Sequence, residues 1–124
     1  MNTVVKFHET GAPEVMRFET AEVGDPGPGQ VRLRHVAVGL NFADTYFRSG
    51  IYPVPLPSGL GNEASGIVQA VGAGVEHIKA GDRVTYTGFT NTLGAYCTER
   101  LIDAAPLITL PEAISCEQAA AMTM

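Results

Sequence analysis

The sequence predicts a mainly β domain, a partly open barrel of about seven or eight short strands with short helices. Three observations carry this. Short alternating or β-branched runs recur along the chain. Turn signals separate them closely, with 14 Gly and 8 Pro in 124 residues, a usage that favours turns over long helices. Helix-start signals are confined to two places, after Asn41 and after Ser115.

The elements follow in order. Thr3 to His8 alternates weakly and reads as a first strand, broken by Gly11-Ala12-Pro13. Val15 to Val23 reads as a second, ended by the Gly/Pro run 24–29, which cannot continue a ladder. Gln30 to Gly39 is the clearest strand: Val31 and Leu33 fall on one face, Arg32 and Arg34 on the other. Asn41 then starts a short helix, its side chain placed to cap the amide of Ala43 or Asp44. Phe42, Thr45 and Tyr46 continue it at helical spacing, and Gly50 ends it with a left-handed backbone. Residues 51–61, with three Pro and two Gly, read as an extended rigid loop. Strands are expected at Ala64–Val71, Arg83–Thr87, Leu93–Thr98, Arg100–Ala104 and Leu107–Leu110. Gly72-Ala73-Gly74 and Ala80-Gly81-Asp82 supply tight turns between them. Ser115-Cys116-Glu117-Gln118 is a capping box opening a helix through Ala119–Met122.

Length and composition narrow the function classes. A chain of 124 residues fits one domain and can bury about two-thirds of its unfolded surface. The net charge of −5 comes without any basic run, which argues against a nucleic-acid partner. No apolar run approaches the ~20 residues that span a bilayer, and MNTVVKFHET lacks the apolar stretch of a signal peptide. These features lead to the expectation of a cytoplasmic protein with no membrane partner. Cys97 and Cys116 have no CxxC spacing and are expected to be free, buried thiols.

Two glycine motifs mislead. Gly59-Leu60-Gly61-Asn62-Glu63-Ala64 matches GxGxxA, but a dinucleotide fingerprint needs a strand before it and a helix after it. Here Pro53, Pro55 and Pro57 precede and the strand-like GIVQAV follows. Gly72-Ala73-Gly74-Val75-Glu76-His77 fails at its sixth position. Both read as turns, so no pyrophosphate site is expected here.

The stretch Leu40–Gly66 clusters an Asn, two Tyr and an Arg around a short turn. NFADTYFRSG, IYP, SGLGNEASG, AGDRV and LGAY follow one another in an order that covers nearly the whole chain. In this ordered combination the chain resembles the zinc-free quinone oxidoreductases, the zeta-crystallin-like branch of the medium-chain dehydrogenase/reductase superfamily. Zinc alcohol dehydrogenases of that superfamily carry a Cys and a His-Glu pair at the places that here hold Asn41 and Asn62-Glu63. Asn is a poor zinc ligand, and two Cys cannot build a four-Cys structural lobe. No metal site is expected, and no zinc.

The resemblance implies a GroES-like domain over residues 1–114. Residues 115–124 would begin the helix leading to a Rossmann domain that is absent from this chain and binds most of the NADPH. The helix announced at Ser115 has only about ten residues, short for a stable helix, so the chain is expected to be a fragment, inactive alone and with apolar surface left uncovered. The resemblance further implies that Asn41 and Tyr46 lie beside the nicotinamide, with Phe42 adjoining, and that Tyr52 stands in the quinone pocket with Asn41 near the substrate. Tyr46 and Tyr52 would be the catalytic residues. Aromatic faces would hold an electron-poor ring flat, and phenol hydroxyls would bond a carbonyl on which negative charge develops. The full-length protein is expected to be a homodimer or homotetramer.

Plainer roles stay open for the same residues. Asn41 can be only a helix cap, and Tyr46 and Tyr52 only half-buried aromatics. Asp44 and Arg48 are spaced to pair along the helix, Glu63 is placed to be hydrogen-bonded structure, and Asp82 to serve its turn. His8, His35 and His77 have no convergent partner in the sequence and receive no catalytic role. Two other functions stay open: a zinc-free reductase of enones or enoyl-thioesters, and a non-catalytic GroES-like binding module.

Overall fold

The computed structural model describes residues 2–88 and 93–122. Among these, eight strands form two antiparallel sheets. β1 (Asn2–Phe7) lies between β2 (Met16–Ala21) and the two-residue β4 (Ser58–Gly59). The larger sheet runs β7 (Glu99–Asp103), β3 (Gln30–Val38), β5 (Glu63–Val71), β6 (Arg83–Thr87), β8 (Ile108–Thr109).

β3 organises the larger sheet because it pairs on both edges, with β5 from Val31↔Val71 to Val38↔Ala64 and with β7 from Gln30↔Asp103 to Arg34↔Glu99. Its alternation holds, with Val31 and Leu33 fully buried. They pack with Val68, Val84, Tyr86, Ile102 and Leu107 in the main core. Two register shifts against β5, at Arg32/Leu33 and His35/Ala37, interrupt the ladder there. Such irregularities bend a strand.

The sheets meet along residues 96–98. Val5 N–H donates to the Tyr96 carbonyl at 2.8 Å, and Thr98 N–H to the Thr3 carbonyl at 2.9 Å. The Thr98 carbonyl accepts from His35 N–H at 2.9 Å. This corrects the expected strand at 93–98: its backbone groups are divided among Leu60–Gly61, β1 and β3, so no ladder forms beyond a single bridge, Val4↔Cys97. The 51–61 loop also departs from expectation, because Ser58 and Gly59 pair with Phe7 and Lys6. The second strand is shorter than Val15–Val23, since Pro13–Val15 forms a 3₁₀ turn. The barrel stays open, as predicted.

Two helices complete the fold. α1 (Phe42–Ser49) is capped by Asn41 and ended by Gly50 at φ 93°, where a side chain would strain the backbone. Its inner residue Phe47 packs with Phe7 and Leu60 in a second core. α2 (Cys116–Ala120) opens with the anticipated capping box, in which Ser115 Oγ accepts from Gln118 N–H at 3.1 Å and Ser115 N–H donates to Gln118 Oε1 at 2.9 Å. Ser65 Oγ donates to the Cys116 carbonyl. Arg83 donates to the carbonyls of Ile114 (2.7 Å) and Pro111 (3.0 Å), holding the segment that leads into α2. The two thiols are free. No described helix is long and apolar enough to cross a membrane.

Leu33→Ala leaves a cavity where two paired edges of β3 prevent collapse. It is expected to cost about 2–5 kcal/mol, read as a lower urea midpoint at unchanged m value.

Candidate active site

α1 and the turn after it build an aromatic shelf. Phe42 and Tyr46 are one helical turn apart on the same face, with ring centroids 5.5 Å apart at 70°. Gly50 reverses the chain, and Tyr52 N–H then donates to the Tyr46 carbonyl at 3.2 Å. The Tyr52 ring is thereby set edge-on against both Tyr46 (5.3 Å, 71°) and Phe47 (5.4 Å, 71°). Edge-to-face contacts of this kind suit aromatic quadrupoles. The outer members are open to solvent: Phe42 is 74% exposed and Tyr52 44%.

Asn41 stands at the head of the shelf, on the rim of two grooves. One, of about 280 Å³, runs past Val38, Gly39, Glu63 and Ala120. The other, of about 340 Å³, runs past Phe42, Thr45, Leu60 and Tyr96. Asn41 N–H donates to Asp44 Oδ2 at 3.1 Å as part of a capping box. Its side-chain Nδ2 donates to Glu63 Oε2 at 2.9 Å. Glu63 is buried, and the site gives it that room through Gly39: a Cβ at Gly39 would lie 2.5 Å from Glu63 Oε2 and 2.6 Å from the Ala120 carbonyl. Asn62, directly before Glu63, is fully buried and neither polar atom of its side chain has a hydrogen-bond partner. Among the described residues no three His, Cys, Asp or Glu side chains converge as a metal site would require.

Residues 27–112 match the alcohol dehydrogenase GroES-like domain. The chain belongs to this family. It is 52% identical over 122 residues to quinone oxidoreductase 1 of Escherichia coli (strain K12), covering 98% of this chain and 37% of that protein. It is 46% identical to a 2-haloacrylate reductase of a Burkholderia species, covering 86% of this chain and 32% of that one. The crystal structure of Escherichia coli quinone oxidoreductase complexed with NADPH superposes with a TM-score of 0.93 at 51% identity, over 98% of this chain and 37% of that chain. This chain thus spans about a third of the length of these relatives.

In this GroES-like domain the predicted residues Asn41, Phe42, Tyr46 and Tyr52 come together as one surface. Asp44 and Arg48 do not pair as their spacing suggests. Asp44 turns inward, accepting from Asn41 and from the Tyr96 hydroxyl, while Arg48 Nε donates to the Gly11 carbonyl at 3.2 Å. Burial raises the Tyr96 pKa, and the hydrogen bond to Asp44 and its charge raise it further. Asp82 serves its turn as expected, accepting from Lys79 N–H at 3.0 Å, and that bond lowers its pKa.

His35 does have convergent partners, contrary to the sequence expectation. Its Nδ1–H donates to the Cys97 carbonyl at 2.9 Å, which leaves Nε2 to accept from the Tyr86 hydroxyl at 2.9 Å. Arg100 donates to the same hydroxyl at 3.3 Å. No spacing signal could show this, because Tyr86 is 51 residues from His35 and Cys97 is 62. Burial pushes the His35 pKa down to about 4; the Cys97 bond opposes this and the Arg100 charge adds to it. Burial also pushes Tyr86 up to about 12 and Cys97 up to about 11. The cluster links β3, β6 and β7 of the larger sheet and meets the joining segment at the Cys97 carbonyl.

Since the unfolded imidazole takes its proton near 6.5 and the folded one only near about 4, unfolding takes up a proton between those pH values. This contribution to stability is full above about pH 6.5 and falls as pH drops toward 4, by up to about 1.4 kcal/mol per pH unit. Denaturation at stepped pH is expected to show that slope in the native protein and a shallower one in His35→Gln.

Proposed function

We propose that this chain is the catalytic domain, residues 1–114, of an NADPH-dependent quinone oxidoreductase that transfers hydride to a quinone without zinc. Residues 115–124 would open the helix toward a Rossmann domain supplied by further sequence, which binds most of the cofactor. The observation that carries the reading is the Asn41 rim. Where a zinc enzyme would place metal ligands stand two amides, Asn41 and Asn62, and beside them an edge-stacked aromatic shelf ends in the open Tyr52 ring. The exposed Leu40, Phe42 and Ile51 support a second domain seated across this face. The relatives named quinone oxidoreductase support the activity.

The residues present fit a nicotinamide. Gly39 and Ala120 keep one side of the rim small, Asn41 offers an amide, and Phe42 and Tyr46 offer apolar edges. Reduced nicotinamide, when bound, supplies the hydride. The chain's own residues orient and polarise. Asn41 aligns the cofactor, Phe42 and Tyr46 flank it, and Tyr52 with Asn41 receives the quinone. The phenol O–H groups of Tyr46 and Tyr52 donate to the quinone oxygen as charge builds on it. We assign the whole protein to the cytoplasm as a homodimer or homotetramer.

A second reading, reduction of an activated C=C bond, is favoured by the likeness to the 2-haloacrylate reductase. Side-by-side assays of the full-length protein with 1,4-benzoquinone and a short enone separate the two. The first test titrates NADPH against the 124-residue chain and against the whole gene product. Only the longer chain is expected to bind and to turn over quinone; a longer chain that neither binds nor turns over would sink the reading. In that protein Tyr52→Phe is expected to lower kcat by roughly tenfold to a hundredfold, below the loss for a buried oxyanion donor because Tyr52 is half-open. An unchanged kcat would remove Tyr52 from catalysis.

A further inference from the structure

We propose that Glu63 is a positioning residue that fixes which end of the Asn41 amide meets the ligand, so that Asn41 presents a hydrogen-bond donor. The identity of that ligand as the nicotinamide cofactor rests on the reading above; the Glu63–Asn41 pairing does not.

An Asn side chain has two ends of nearly equal shape and opposite hydrogen-bond polarity. Alone on a groove rim it could turn either end outward, and its network decides which. Here the network is asymmetric. On one side stands Glu63, a buried carboxylate 2.9 Å from Nδ2. A carboxyl oxygen placed there accepts, so it holds the NH₂ end. On the other side is the start of α1, where Asp44 N–H is taken by the Asn41 backbone carbonyl at 3.0 Å. The positive end of the helix dipole there favours the carbonyl end of the side chain. Turning the amide over would set its oxygen against the buried Glu63 carboxylate.

The carboxylate has little room to follow such a turn: its Oε2 lies 2.5 Å from where a Cβ on Gly39 would stand, and the Ala120 carbonyl lies 2.6 Å from the same point. One Nδ2 hydrogen is therefore committed to Glu63, and the second is left for a ligand in the grooves that Asn41 borders. The matching ligand group is an oxygen acceptor, a carbonyl or hydroxyl.

The test exchanges donor and acceptor in the full-length protein. Asp caps a helix as well as Asn does, so Asn41→Asp spares α1 and sets two carboxylates against each other. Its Tm is expected to fall by about 4 °C or more. The double variant with Glu63→Gln restores a bonded pair of reversed polarity and should recover most of that loss. Its NADPH affinity should stay weakened by about tenfold, because the end facing the groove no longer donates. Purely additive Tm changes would overturn the pairing. Recovery of NADPH affinity in the double variant would overturn the donor role, since stability and affinity would then track together as for a structural contact. If the unaltered full-length protein does not bind NADPH, the functional reading fails and takes the donor role with it, while the Tm cycle still decides the pairing. Should Asn41→Asp not fold, Glu63→Met, which keeps the bulk but removes the strong acceptor, decides: reduced NADPH affinity in a folded variant supports the proposal, and unchanged affinity overturns it.

Discussion

The absence of a side chain at Gly39 is the constraint on which the candidate site depends. β3 ends there, and α2 and the first residue of β5 both crowd its Cα. Any larger residue would push Glu63 or the Ala120 carbonyl away, and with them the carboxylate that Asn41 touches. Because Asn41 is also the cap of α1, the same contact fixes where the helix begins. The positions of Phe42, Tyr46 and Tyr52 follow from that start through helical periodicity and the reversal at Gly50.

The scaffold behind the site is held differently. Its two sheets share no continuous ladder and are joined by the residue 96–98 segment, whose backbone groups serve both. Within the larger sheet His35, Tyr86 and Arg100 are linked by side-chain hydrogen bonds, and His35 reaches the joining segment at the Cys97 carbonyl. A buried imidazole stays neutral there because taking a proton would add a charge in a dry place beside Arg100. Polar groups thus occupy both this cluster and the rim, but at the rim the open Phe42 and Tyr52 rings leave surface for a ligand, whereas in the cluster the groups satisfy one another.

Much of the fold was legible because it obeys local rules. The alternation of Val31 and Leu33 against Arg32 and Arg34 specified β3, and the Ser115–Gln118 box specified the start of α2. The dinucleotide look-alike at 59–64 is followed by β5 and not by a helix, as a turn reading required, though its first residue, Gly59, lies in β4 and its last two lie in β5. The exceptions share one cause. Residues 93–98 carry strand-like character, yet their hydrogen bonds are divided among the Leu60–Gly61 loop and two sheets. Ser58 and Gly59 lie in a Pro-rich loop, yet they meet the edge of β1. Asp44 has the spacing for a pair with Arg48, yet burial turns it toward Tyr96.

By itself the sequence determined the residue types at the candidate site: the amides of Asn41 and Asn62, and aromatics at helical spacing after a cap. Those are properties of neighbours within a turn or two, where periodicity and capping chemistry act. Only the tertiary structure decided the orientation of the Asn41 amide, the hydrogen-bond partner of His35 Nε2 and the partner of Asp44. Each depends on a group far away in the chain, Glu63 at 22 residues, Tyr86 at 51 and Tyr96 at 52. Hydrogen bonds and desolvation act over a few ångströms in space, and which residues share those ångströms is set by strand pairing.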